Sequence, residues 1–289
     1  MSGGVSTDGG HDGGHDGGHL GGLGLSSLNL LAGLDAEPGE FPLLSGAGFP
    51  KAAFAPRFRA QVLLAEFAGT DWRAAAPKAP NNAEDALKDE IKLLLGKIPL
   101  RAGRATEIRA QSDNLAGAWL RLLMADAGGR PAAVTLVSLA LAAGHMVGLH
   151  WKWHFLRPRP VQVYPALMPM IPAPPHASYP SNHSFHSHLI AGLLHAAMAP
   201  GLRPGVAGPF DALADRIAQN REVAGVHFPS DTRAGEALAA AMLPRLLGLP
   251  GVQDLLGQVQ AEYPGVVATA GPVNPPALRP VPNGGGPSP

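Results

Sequence analysis

The 289-residue chain is 46% hydrophobic, enough to bury a sizeable core in one domain. Its 22 Lys and Arg balance its 22 Asp and Glu, so it lacks the basic excess of a nucleic-acid binder, and any anion has to be held by a local cluster. The absence of cysteine excludes disulfides, thiolate metal sites and a cysteine nucleophile, while leaving cytoplasm and periplasm both open.

The opening MSGGVSTDGG has neither the basic start nor the apolar run of a secretory signal, and a soluble protein is expected. Residues 8 to 19 repeat DGGH three times, from Asp8, Asp12 and Asp16, within a glycine-dense stretch whose ordering costs much backbone entropy. Residues 1–50 are therefore expected to be a flexible Gly/His-rich segment, and residues 266–289, rich in Pro and Gly, a disordered tail. Between them, residues 51–265 carry helical apolar spacing with no sustained period of two, which predicts an all-α domain.

In chain order, APRFRAQVLLAEFAG near Pro56 is read as helix. NNAEDALKDEIKLLLGKI follows, with Asn82 as expected N-cap and Leu87, Ile91, Leu94 and Leu95 along one face. EIRAQSDNLAGAWLRLLMADAG is read as one helix ended by Gly128 and Gly129. A long helix then opens at Pro131 and stops before Pro158. Four more are expected from Ser181, Phe210, Asp231 and Pro250 onward. The apolar run from Ala132 to Trp151 approaches the length of a bilayer span. Thr135, Ser138, Gly144, His145 and His150 interrupt it, and a buried central helix is the preferred reading.

Three polar motifs follow one another. In KWHFLRPRP, Lys152 and Arg159 stand seven residues apart, but Pro158 and Pro160 break the helix and place Arg159 in an extended segment beyond it; Arg157 is a rival for the same role. In PSNHS, Ser181 is a natural N-cap, which leaves the amides of Asn182 and His183 in a first turn that offers free donors and a positive dipole end to an oxyanion. In NREVAGVHFPSD, His227 and Asp231 are four apart, a spacing that lets the carboxylate take Nδ1–H and leave Nε2 a free lone pair, with Arg221 as a third cation. Each motif alone has an ordinary explanation: a solvated basic turn, a capped helix or a local hydrogen bond.

Taken in order, the three resemble the superfamily of type 2 phosphatidic acid phosphatases, class A acid phosphatases and vanadium haloperoxidases, whose motifs run K-x6-R-P, P-S-G-H and S-R-x5-H-x3-D. They stand here as Lys152 to Pro160, Pro180 to His183 and Asn220 to Asp231. The resemblance implies a helical bundle of the acid phosphatase and haloperoxidase type. It also implies that Lys152, Arg159, Arg221, Ser181 and the amide of Asn182 hold a phosphoryl group. His227 would attack phosphorus, Asp231 fix its tautomer, and His183 protonate the leaving oxygen, with no metal or cofactor required. Two positions depart from the pattern: Asn182 stands where the superfamily has glycine, and Asn220 where it has serine.

The function expected is a metal-independent phosphohydrolase acting on a small phosphorylated substrate. A haloperoxidase holding vanadate in the same cradle, with His227 as its ligand, is the main alternative. A membrane lipid phosphatase would ask for several spanning helices that the hydropathy does not supply. A noncatalytic metal-binding protein would rest on the DGGH repeats or on a tripod of His176, His183 and His186. His186 and His188 are otherwise read as bystanders.

Overall fold

The computed structural model describes residues 48–198 and 203–264; the DGGH repeats and the carboxyl-terminal tail lie outside them. From Lys51 onward the described residues are helical with no strand among them. The longer helices are α1 (Pro56–Ala68), α2 (Glu84–Lys97), α3 (Arg101–Asp113), α4 (Leu115–Leu123) and α5 (Pro131–Phe155). A single turn, α6 (Pro160–Val163), is followed by α7 (Asn182–Ala197), α8 (Arg203–Val223), α9 (Pro229–Leu247) and α10 (Pro250–Glu262).

Several helix boundaries differ from the sequence expectation. Asn82 does not cap α2: the N-cap is Ala83, whose amide donates to Asn81 Oδ1 at 3.0 Å. The segment read as one helix up to Gly128 is two. At Asn114 the backbone leaves helical geometry, and its Oδ1 accepts from the Gly117 amide at 2.8 Å, so an internal cap starts α4 afresh. That helix ends at Met124, in the left-handed region, rather than at the glycines. Elsewhere α8 begins at Arg203, before Phe210, whereas α10 opens at Pro250 as expected.

The core is built around α5 and α7. Helix α5 packs on α1, α4, α7 and α10, while α7 also packs on α8 and α9. Leu136, Leu139, Ala140 and Val147 of α5 and Phe185, Leu189, Leu193 and Leu194 of α7 are among the residues it buries. Each large aliphatic side chain so placed contributes about 1.5–3 kcal/mol by removal from water. Residues 131–163 are long and apolar enough to cross a membrane, but 61% of the most apolar window is buried inside the fold. On α5, Leu149 and Trp153 remain exposed.

Close approach of α9 to α7 depends on Gly235. A Cβ there would stand 2.5 Å from the Ser181 carbonyl oxygen and 2.9 Å from the Phe185 amide, both backbone atoms with little freedom to yield. Gly235→Ala is therefore expected to cost about 1–3 kcal/mol in urea denaturation. Gly257→Ala, which meets nothing within 4 Å, is expected to be neutral or slightly stabilising. Equal effects at the two positions would show that the α7–α9 seam is not tightly set.

Candidate active site

The motif residues lie at helix ends. Lys152 is in the last turn of α5, which closes with Leu156 in the left-handed region; Arg159 follows in extended backbone as N-cap of α6. Ser181 caps α7, its Oγ accepting from the Ser184 amide at 3.4 Å. Arg221 ends α8, which closes over Gly225 at φ +79°, where the Val226 amide returns to the Arg221 carbonyl. His227 sits in the next link, and Asp231 lies in the first turn of α9. The Ser181 amide donates to the Asp231 carbonyl oxygen at 2.9 Å, joining the starts of α7 and α9.

His227 and Asp231 meet as their spacing predicts. Nδ1 of His227 lies 3.1 Å from Asp231 Oδ2, which also accepts the Phe228 amide at 2.9 Å. Because a buried carboxylate accepts, Nδ1 carries the proton and Nε2 keeps its lone pair. Burial, followed by the charges of Lys152, Arg159, Arg221 and His176, holds this imidazole well below its ordinary pKa. It is therefore neutral at the pH where those cations are charged.

The rivalry between Arg157 and Arg159 resolves by partner. Arg157 donates to Asp231 Oδ1 and Ser230 Oγ at 2.6 Å and to Glu90 Oε2 at 2.7 Å, so its charge is spent on carboxylates. Arg159 donates to carbonyl oxygens instead, those of His176 at 2.9 Å and Val226 at 2.8 Å, and its Nη1 lies 3.4 Å from His227 Nε2. Its other terminal nitrogen meets His176 Nδ1 at 3.1 Å.

Lys152 and Arg221 resemble Arg159 in this respect. Lys152 Nζ donates to the Ala177 and Ser178 carbonyls, both at 2.9 Å. Arg221 donates to the Ile108 carbonyl at 2.9 Å, and its Nε is buried without a partner. Among the described residues, none of these three buried cations has a carboxylate within ion-pair distance. Burial lowers all three: Lys152 to about 7, helped by Arg159 and opposed by Asp231, and Arg159 and Arg221 each to about 10. Asp231 is pushed up by burial, against Arg157 and the Phe228 amide, which favour the carboxylate.

His183 points its Nε2 at the Gln111 carbonyl, 3.2 Å away, which makes Nε2 the protonated nitrogen and leaves Nδ1 free. Burial, with Arg221 and His227, keeps this ring neutral in the free protein. His183, Asn182 and His227 line a cleft of about 310 Å³ together with His145, His176, His186, Leu141, Pro174 and residues 112–116. Lys152, Arg159 and Arg221 are buried and are not among these lining residues, but their charges act on His227, which is. A larger hollow of about 630 Å³, lined from α1 and α10 by Val62, Leu63, Gly251 and Asp254, contains none of these groups.

The metal tripod fails: among the described residues no group of three His, Asp or Glu side chains is arranged to hold an ion. His188 points away, its Nε2 3.3 Å from Asp215, whereas His186 lines the cleft, its ring centroid 4.6 Å from that of His145 at a tilt of 55°. Sequence reasoning missed Gln111, Glu90 and the cleft wall at 112–116. Gln111 accepts from Asn220 Nδ2 at 2.9 Å and orients His183 through its carbonyl. These residues come from α2, α3 and the start of α4, well before the first motif in sequence, and no local pattern marks them.

Comparison with known proteins finds a family match over part of the chain. Residues 132–250 match the model of the PAP2 superfamily. A non-specific acid phosphatase of Salmonella typhi is 34% identical over 85 residues, 29% of this chain; the match spans about a third, 32%, of that relative's length. Among solved structures, a bacterial vanadium-dependent iodoperoxidase aligns at 18% identity with TM-score 0.46, over 60% of this chain and 52% of the other. A transmembrane PAP2-type phosphatidylglycerolphosphate phosphatase from Bacillus subtilis aligns at 17% identity with TM-score 0.34, over 68% and 95%. The stretch that matches the PAP2 superfamily model, residues 132–250, is the one that holds the cations, the capped start of α7 and the His227–Asp231 pair.

Proposed function

We propose that the protein is a metal-independent phosphohydrolase that cleaves a phosphomonoester or phosphoanhydride through a phosphohistidine at His227. The observation that carries this reading is the charge imbalance. Three buried cations without carboxylate partners act through their charge on an imidazole whose tautomer is fixed, and one of them, Arg159, lies 3.4 Å from its free lone pair. A phosphoryl dianion supplies the missing negative charge. Preorganised donors at a transferring phosphoryl group contribute roughly 2.7–4 kcal/mol each to the barrier.

In this mechanism Lys152, Arg159 and Arg221 hold the nonbridging oxygens, and Ser181 with the Asn182 amide completes the cradle at the positive end of α7. Nε2 of His227 attacks phosphorus as the bond to the leaving oxygen breaks. Asp231, through Nδ1, stabilises the positive charge that develops on the ring. The arriving dianion offsets the field of Arg221, which lets His183 carry the proton it donates to the leaving oxygen. His183 then takes a proton from water, whose oxygen attacks phosphorus and frees His227 and inorganic phosphate.

The cradle is also chemically suited to vanadate, an oxyanion of the same shape. Lys152, Arg159, Arg221, Ser181 and the Asn182 amide would hold it, with His227 Nε2 as the ligand. Bound there, it would supply peroxide activation for halide oxidation. Bromide oxidation after vanadate loading, in a protein that releases no phosphate from aryl phosphates, would decide for this second reading.

His227→Ala is expected to lower phosphate release from an aryl phosphate by roughly 10⁴-fold or more, and chelators to have no effect. Turnover that depends on added metal and survives the substitution would contradict the proposal. The pH dependence follows from Lys152, whose pKa is lowered to about 7. The cradle is fully charged below that pH and loses one cation above it, so kcat/KM is expected to fall on the alkaline side with an apparent pKa near 7. Lys152→Arg is expected to move that limb upward. An alkaline limb unmoved by Lys152→Arg would remove Lys152 from the cradle.

A further inference from the structure

We propose that Asn182 determines the size of the leaving group: its side chain, seated in the space above Gly148, walls the cleft so that it admits the phosphate ester of a small alcohol or single-ring phenol and excludes fused-ring and larger ones. The proposal deepens, and rests on, the reading of the cations as an oxyanion cradle.

Gly148 and Gly144 are one helical turn apart on α5, and Asn182 and His186 are one turn apart on α7. A Cβ on Gly148 would fall 2.1 Å from Asn182 Oδ1, and one on Gly144 would fall 2.1 Å from His186 Cδ2. Each glycine thus yields its side-chain volume to a polar side chain of the neighbouring helix. Asn182 Oδ1 and His186 Nε2 are both buried without a hydrogen-bond partner, although both residues line the cleft beside His183 and His227. An unpaired buried polar atom costs about 1–3 kcal/mol. No hydrogen bond fixes the Asn182 carbonyl, so it is held by shape alone, against the α5 backbone.

This arrangement has a steric consequence at the chemistry. Asn182 follows the cap Ser181 and lines the same cleft as the proposed nucleophile and acid, so its carboxamide takes up volume in the cavity that a leaving group would enter. The cleft, about 310 Å³, lies at the lower end of the range for small-molecule pockets. Gly148 keeps the carboxamide back against α5. A larger residue there would push it into the cleft.

Binding of nonhydrolysable phosphonates, measured by calorimetry, tests this independently of turnover. The wild-type protein is expected to bind methylphosphonate at least about tenfold more tightly than 2-naphthylmethylphosphonate, and Asn182→Gly to bring the two within about threefold. Gly148→Ala is expected to weaken methylphosphonate about tenfold with Asn182 present, and less than about threefold in the Asn182→Gly background, a non-additivity reporting direct contact. Discrimination that persists in Asn182→Gly, or an equal cost of Gly148→Ala in both backgrounds, would overturn the proposal. Binding of both phosphonates without preference by the wild type would overturn it while leaving the oxyanion cradle standing. Binding of neither would overturn both.

Discussion

The structure turns on an unbalanced buried charge. Removing an ion from water costs several kcal/mol even after relaxation, and such charges persist in interiors when paired or strongly hydrogen-bonded. Arg157 is paired, with Asp231 and Glu90. Lys152 and Arg221 are buried on carbonyl oxygens, Arg159 on carbonyl oxygens and imidazole nitrogens, and one of their guanidinium nitrogens, Nε of Arg221, has no partner. Carbonyl dipoles offset part of the desolvation and leave the positive potential available to a ligand. Burial first, and this potential second, keep His227 neutral.

The helical framework makes this possible by gathering helix ends. Helices α7 and α9 bring their positive N-termini to the site, while α5 and α8 end there and deliver Lys152 and Arg221 from their last turns. The Ser181 amide on the Asp231 carbonyl and the Arg157 bonds to Asp231, Ser230 and Glu90 tie these ends to one another and to α2. Asp231 therefore does two jobs: one oxygen fixes the His227 tautomer, and the other anchors Arg157. Gly235 and Gly148 allow the close approaches at either side of α7.

Much of this was legible in the sequence because it is local. Pro131, Pro158 and Ser181 mark element ends by backbone chemistry, and the four-residue interval from His227 to Asp231 fixes a contact within one helical turn. The two-proline break that places Arg159 in extended backbone was readable in the same way. What was not legible depends on packing over long separations. Nothing in residues 157–159 says which arginine meets Glu90, sixty-seven residues earlier, or that Gln111 lies against His183. The break at Asn114 was missed because its cap interrupts an apolar period that continues on both sides. His186 was read as a bystander, yet the glycine on the facing helix leaves room for its ring and it lines the cleft wall.

The claim that joins these features is that His227, neutral and acted on by three buried cations, becomes covalently phosphorylated. Rapid acid-free quenching during turnover of an aryl phosphate, followed by peptide mapping by mass spectrometry, tests it most directly. The account predicts an acid-labile phosphoryl group on the peptide containing His227, absent from His227→Ala and accumulating when His183 is replaced. Steady turnover with no phosphorylated peptide, or a phosphoryl group on another residue, would contradict it.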